Sequence, residues 1–316
     1  MIPYTPPKPA TSLPLIDISR APAAVAWEIH KACRDTGFFY VVNHRIPEEV
    51  LGAQLDWARR FFALDAADKN AISFDRSPRR MGFEPMRRQV LDEGSAPDLK
   101  ESFMYSAPPP KGAVAGDVAG NPINLWPAAL PGFVEQMAIY GHHVGSLGRR
   151  LMRLVALSLE LPDTFFDAGF AASAFAVRLL HYPPQAQAGA GNQIGAGAHT
   201  DWGAITVLLQ DDAGGLEVRN ADGEWILADP VPGALVINLG DLIRRWTNDL
   251  YHSTLHRVLN KAVGRDRYSV ATFCSPDYAY RVECLPTCRP AVGEPRYPPC
   301  TVGDHLQEMA RRTYAI

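Results

Sequence analysis

Apolar residues recur along this chain in two rhythms, and the change between them falls near Pro162. Before it, the spacing is mostly helical. Leu51, Leu55, Ala58 and Phe62 follow at intervals of four, three and four, one face of a helix that Pro47, Glu48 and Glu49 are suited to start. Val144, Leu147, Leu151, Leu154 and Val155 mark the stripe of a long helix over about residues 131–161, a core scaffold by its length. A shorter helix is predicted over about 21–33, with Pro22 in its first turn. Residues 13–18 read as a short strand, and the β-branched and aromatic run at 37–42 as a buried one.

Beyond Pro162 short apolar runs alternate with turn residues every ten or so positions, at 174–182, 204–210, 216–219, 225–228, 234–239, 253–258 and 268–274. Asn220-Ala221-Asp222-Gly223 fits a hairpin turn between two of them. This punctuation predicts a mainly β fold, a double-sheet jelly roll, with a helical N-terminal half. A closing helix over 302–313 carries Leu306, Met309 and Ala310 on one side. The expected organisation is a mixed α/β region with long supporting helices (1–161) and a jelly-roll core with a C-terminal helix (162–316), joined as one structural unit.

Composition narrows the function classes. With 316 residues, 47% of them hydrophobic, a sizeable core is available. A formal net charge of −3 gives no general attraction to nucleic acid or anionic membranes, so neither partner is expected. The N-terminus has prolines and no apolar run, which excludes a signal peptide or membrane helix there and suggests a cytoplasmic location. Five cysteines, Cys33, Cys274, Cys284, Cys288 and Cys300, an odd number with no secretory signal, are read as free thiols, and the spacing of Cys284, Cys288 and Cys300 fits no zinc pattern.

The chemistry concentrates at Ala198-His199-Thr200-Asp201-Trp202. Residues two apart on an extended strand project to one face, so His199 and Asp201 present an imidazole nitrogen and a carboxylate oxygen to one point. A third ligand from another strand would complete a two-histidine, one-carboxylate face with three coordination positions open, the arrangement of non-haem iron(II) oxygenases. His256, in a β-prone run, is the candidate. Arg267 and Ser269 are again two apart, a guanidinium and a hydroxyl suited to the far end of a dicarboxylate, and Tyr182 adds a phenol.

Several stretches in order resemble the isopenicillin N synthase-like branch of the iron(II)/2-oxoglutarate dioxygenases: LPLIDIS (13–19), CRDTGFFYVVNH (33–44), DLKESF (98–103), RLLHYPP (178–184), HTDWG (199–203), NLGDLIRRWTNDLYHSTLHRV (238–258) and RYS (267–269). The resemblance spans nearly the whole chain. It implies a double-stranded β-helix core, Fe(II) on His199, Asp201 and His256, and 2-oxoglutarate on Arg267 and Ser269 with help from Tyr182. It also implies that 2-oxoglutarate and O₂ are consumed, with succinate and CO₂ released, as a C–H bond of a small substrate is hydroxylated, desaturated or demethylated. One departure stands out: many plant relatives have asparagine where this chain has Leu180.

Two other readings stay open on sequence alone. An isopenicillin N synthase-like or aminocyclopropane-carboxylate-oxidase-like oxidase shares the triad and the Arg-x-Ser without using 2-oxoglutarate. A silent ligand-binding barrel would need neither. The remaining histidines lack spacing to the triad: His30, His44, His142, His143 and His305 are assigned surface or capping roles, His252 partial exposure, and His181 the strand face opposite Tyr182. Asp241 is read as the N-cap of a helix at 242–246. Five arginines crowd residues 76–88; Arg79 and Arg88 are candidates to meet an acidic substrate, and Trp202 to line its cavity.

Overall fold

A computed structural model describes residues 10–77, 79–89, 97–107, 124–184, 194–259 and 264–314. The first nine residues, on which the expectation of no leader segment rests, lie outside them. Among the described residues no helix is long and apolar enough to cross a membrane.

The chain opens with β1 (Leu15–Asp17), α1 (Pro22–Asp35), β2 (Phe38–Val42), α2 (Glu48–Phe62), α3 (Ala66–Ala71), β3 (Gly82–Glu84) and β4 (Glu101–Ala107). The long α4 (Phe133–Ser158) and short α5 (Asp167–Phe170) follow. Then come β5 (Phe175–Tyr182), β6 (Ala196–His199), β7 (Ile205–Gln210), β8 (Leu216–Arg219), β9 (Trp225–Leu227), β10 (Leu235–Leu239), α6 (Asp241–Trp246), β11 (His256–Val258) and β12 (Arg267–Cys274). A small hairpin of β13 (Arg281–Val282) and β14 (Cys300–Thr301) precedes α7 (Val302–Tyr314).

Two sheets build the predicted jelly roll. The larger runs β1-β2-β10-β7-β12-β5-β4-β3 and the smaller β6-β11-β8-β9. The N-terminal half therefore supplies both edges of the large sheet. It contributes four strands where the hydrophobic pattern showed two. β3 and β4 escaped notice because β4 carries Ser102, Met104 and Ser106 on one face and only Phe103 and Tyr105 as large apolar residues on the other.

Strand alternation separates two cores. Phe39, Val41, Ile205, Val207, Leu209 and Ile237 point outward to α1, α2 and α4 and join the main cluster. Phe38, Tyr40, Leu180, Tyr182, Val236 and Ala271 point inward and pack with Ala196, Leu216, Val218 and Val258 of the smaller sheet. Every residue of the long-helix stripe named from the sequence is buried. That helix lies close on the sheet because Gly148 has no side chain: a Cβ there would stand 2.6 Å from Cys274 Sγ and 3.1 Å from Phe175 Cε2.

One expectation about histidines does not survive. His305 is buried, and its Nε2 donates to the Trp202 carbonyl at 3.1 Å. His30 is buried as well but does cap, its Nδ1 donating at 3.0 Å to the carbonyl of Ser158, the last residue of α4. His44 is buried too, yet it does cap a turn, accepting the Ile46 N–H at its Nδ1. His252 is exposed and His181 takes the face opposite Tyr182, as expected.

Candidate metal centre

His199 ends β6 and His256 begins β11, and the antiparallel register sets them directly across from each other. Their ring centroids are 4.3 Å apart. Asp201 follows β6, and its Oδ1 stands 4.0 Å from His199 Nε2 and 3.9 Å from His256 Nε2. One ligand atom from each of the three lies within 4.8 Å of the others, and among the described residues no other group of three His, Cys, Asp or Glu side chains is so arranged. The cysteines are all free.

Each ligand is fixed from behind. His199 Nδ1 lies 2.7 Å from the Gly197 carbonyl and His256 Nδ1 3.2 Å from that of Thr254. A carbonyl only accepts, so each Nδ1 carries the proton and each Nε2 keeps its lone pair toward the centre. Asp201 Oδ2 accepts from Thr206 Oγ1 at 2.5 Å and from Asn238 Nδ2 at 2.8 Å, which turns Oδ1 to the two rings. Burial and the neighbouring His256 lower the pKa of His199 to about 3, so its ring is neutral. Burial alone would raise that of Asp201, but His256 and His199, with the bonds from Asn238 and Thr206, hold it low. Two imidazole nitrogens with one carboxylate oxygen form the donor set that Fe(II) accepts.

The loop after the ligands is braced by the start of α6. The Asp241 N–H donates to the Asp201 carbonyl at 2.8 Å, and Gly240 N–H to that of Ala204 at 2.8 Å. Asp241 is not the expected N-cap. It is the first residue of α6, preceded by Gly240, and its Oδ2 accepts from Thr200 Oγ1 at 3.3 Å instead.

A cavity of about 480 Å³ opens from the triad between the sheets. Arg267, Ser269 and Tyr182 line it together. Arg267 is buried; its Nε donates to the Gly214 carbonyl at 2.6 Å, Nη1 to Ser269 Oγ at 3.0 Å, and its guanidinium lies 4.8 Å from the Tyr182 ring centre. Arg79 and Trp202 also line the cavity, with the Arg79 guanidinium 5.1 Å from the Tyr278 ring centre. Arg88 does not join them. The chain turns at Arg87 (φ 61), and Arg88 is exposed, 3.4 Å from Asp75 and over the Phe74 ring. Thr206, Asn238, Lys100, Arg178 and Glu84 line the cavity as well; Lys100, Arg178 and Asn238 lie within the stretches that carry the resemblance, but no spacing there gave any of the five a role.

Comparison with known proteins agrees with this geometry. The model of the 2OG-Fe(II) oxygenase superfamily matches residues 173–276, and that of the N-terminal region of the non-haem dioxygenase in morphine synthesis matches 13–129. A 2-oxoglutarate-Fe(II) type oxidoreductase of Emericella nidulans is 38% identical, with 96% of this chain and 91% of the relative covered. Among solved structures, a putative 2OG-Fe(II) oxygenase family protein from Caulobacter crescentus is similar at a TM-score of 0.85 and 30% identity, covering 96% of this chain and all of that one. A full-length Neurospora crassa protein, crystallised with alpha-KG and thymine, gives 0.81 and 29%, with 96% of each chain covered. The chain belongs to the isopenicillin N synthase-like 2-oxoglutarate-Fe(II) oxygenase superfamily. It is an enzyme of that class, an iron- and 2-oxoglutarate-dependent oxidoreductase.

Proposed function

We propose that His199, Asp201 and His256 hold Fe(II), that Arg267 and Ser269 with Tyr182 hold the distal carboxylate of 2-oxoglutarate, and that a small organic substrate enters past Arg79 and Trp202. The observation that carries this reading is the triad itself: two Nε2 lone pairs and one carboxylate oxygen converge while every other polar atom of the three side chains has a partner. When bound, the metal and 2-oxoglutarate supply with O₂ the oxidant for a C–H bond, with succinate and CO₂ released. The chain does the rest. Gly197 and Thr254 hold the imidazole tautomers, Asn238 and Thr206 hold the carboxylate, and Arg267 orients the co-substrate from the opposite wall. Phe38, Leu208, Leu216, Val258 and Ala271 give the cavity an apolar lining that excludes water from the reacting centre. The outcome for the substrate is hydroxylation, desaturation or demethylation.

In the same proposal residues 1–161 and 162–316 work as one unit, because strands from both share a sheet. The five free thiols support a reducing, cytoplasmic setting.

Anaerobic titration of Fe(II)-loaded protein with 2-oxoglutarate tests the assignment. A visible charge-transfer band is expected in the wild type, abolished in Asp201→Ala and weakened in Arg267→Ala. Bound iron without a band in the wild type would refute it.

A further inference from the structure

Lys100 sits just before β4 with a side chain only 4% exposed, yet it lines the cavity. A buried ammonium is costly unless partnered, and among the described residues the one acceptor it meets is Asp98 Oδ2. Burial lowers its pKa to about 8 against the pull of Asp98, which leaves it mostly protonated at neutral pH. Asp98 is itself not part of the cavity wall; its other oxygen accepts the Gly197 N–H at 3.0 Å, on the strand that carries His199. An ammonium has three donors. One is taken from behind by Asp98, and the cavity side is where the remaining two find room.

The other charges around the cavity show which ligand would be welcome. Glu84 is occupied: Arg178 pairs with it, and Ser102 Oγ donates to it at 3.0 Å. Arg178 is held further by Ser102 Oγ at 2.9 Å and Gln89 Oε1 at 3.2 Å. Leaving aside Asp201 and Arg267, which have the metal and co-substrate to bind, the described residues of the wall include Arg79, Arg80, Lys100 and Arg178 on the cationic side and Glu84 and Asp277 on the anionic side. Arg80 holds its place at φ 55, a left-handed backbone rare for arginine. An incoming cation would meet this excess and find Glu84 engaged. An incoming anion would meet donors. Met81, Met104, Phe273 and Leu306 of the same cavity offer contact for an apolar frame.

We propose that the substrate is a small organic acid and that Lys100 is its anchor, receiving the carboxylate while the carbon frame lies against the apolar wall. The assignment rests on the oxygenase reading above and adds to it a substrate class and a specificity-determining residue. Asp98 is a positioning residue: it holds the ammonium in place and ties it to the strand bearing His199.

The test is isothermal titration calorimetry under argon on protein loaded with Fe(II) and 2-oxoglutarate. Two probe series are compared, hydrocinnamate with hydrocinnamamide and phenethylamine, and octanoate with octanamide and octylamine. In at least one series the acid is expected to bind about tenfold or more tightly than its amide, the scale of a charge-assisted hydrogen bond, and the amine most weakly. Lys100→Met should erase the preference and Lys100→Arg keep part of it. The paired variant Asp98→Asn/Lys100→Met removes both charges, so no buried carboxylate is stranded, and it too should bind acid and amide alike. Equal or undetectable binding of the acids against their amides in the wild type, or a preference that survives Lys100→Met, would overturn the proposal. The 2-oxoglutarate band, recorded on the same samples, reports the underlying reading separately: its absence in the wild type sinks the oxygenase assignment, and its presence with no acid preference sinks only this one.

Discussion

Asn238 Nδ2 donates to Asp201 Oδ2 at 2.8 Å from the neighbouring strand pair, and this contact decides which carboxylate oxygen faces the two histidines. Groups that orient a ligand typically matter by about 10- to 100-fold in metal affinity. Asn238→Ala and Thr206→Val should each weaken Fe(II) binding by about that factor, measured by competition with a chelator, while Asp201→Ala abolishes it. Wild-type affinity in Asn238→Ala would mean that Oδ1 is aimed by something else.

Arg267 should act mainly on the co-substrate. Its guanidinium offers charge-assisted bonds worth ~1.5–3 kcal/mol each, so Arg267→Ala is expected to raise the KM for 2-oxoglutarate by about 10- to 100-fold or more. Iron content should be unchanged, since Arg267 touches none of the triad. Iron retention with a much higher KM is the expected pair of results; loss of iron would contradict it.

His181 is bound on both ring nitrogens, Nδ1 2.8 Å from Glu101 Oε1 and Nε2 2.6 Å from Asp266 Oδ1, and stacks on Tyr268. Burial would lower its pKa, but Glu101 and Asp266 raise it above the ordinary 6.5. Because the folded value is the higher one, this stabilisation is complete below about pH 6.5 and is lost as pH rises through the folded pKa. Urea midpoints of the wild type should therefore fall between about pH 6 and about pH 9 more than those of His181→Gln. Parallel curves for the two would exclude the imidazolium.

Gly240 is tightly enclosed: a Cβ would stand 2.2 Å from the Gly203 carbonyl oxygen and 2.8 Å from that of Asp201. Its φ of −103 is ordinary, so the constraint is contact and not backbone strain. Gly240→Ala should push the metal loop away, lowering both the melting temperature and the iron content after reconstitution. A stable, fully loaded Gly240→Ala protein would show that the loop has more play.

What the sequence disclosed and what it hid divide along a physical line. His199 and Asp201 were legible because a two-residue spacing is a local property of a strand, and Arg267 with Ser269 for the same reason. The jelly roll was legible from its turns, and the long helix from its stripe. Thr206, Asn238 and Lys100 were not, although each stands inside or beside a recognisable motif. Their importance comes from which strand lies next to which: β4 beside β5, β10 beside β7. Adjacency between strands far apart in the chain leaves no trace in periodicity. Asp241 misled for a related reason, since its helix starts one residue early to reach back to the Asp201 carbonyl.

The placement of β2 has a cost in time. Phe38, Phe39, Tyr40 and Val41 are buried on both faces of the finished sheet, and their partners Leu235–Asn238 are made almost two hundred residues later. At synthesis rates of about 5–20 residues per second, that apolar strand waits on the order of ten seconds or more for its neighbour. Newly made chains must be shielded over that interval. A ribosome that stops near the end of α4 releases a sticky fragment with an open strand edge, not half of an enzyme.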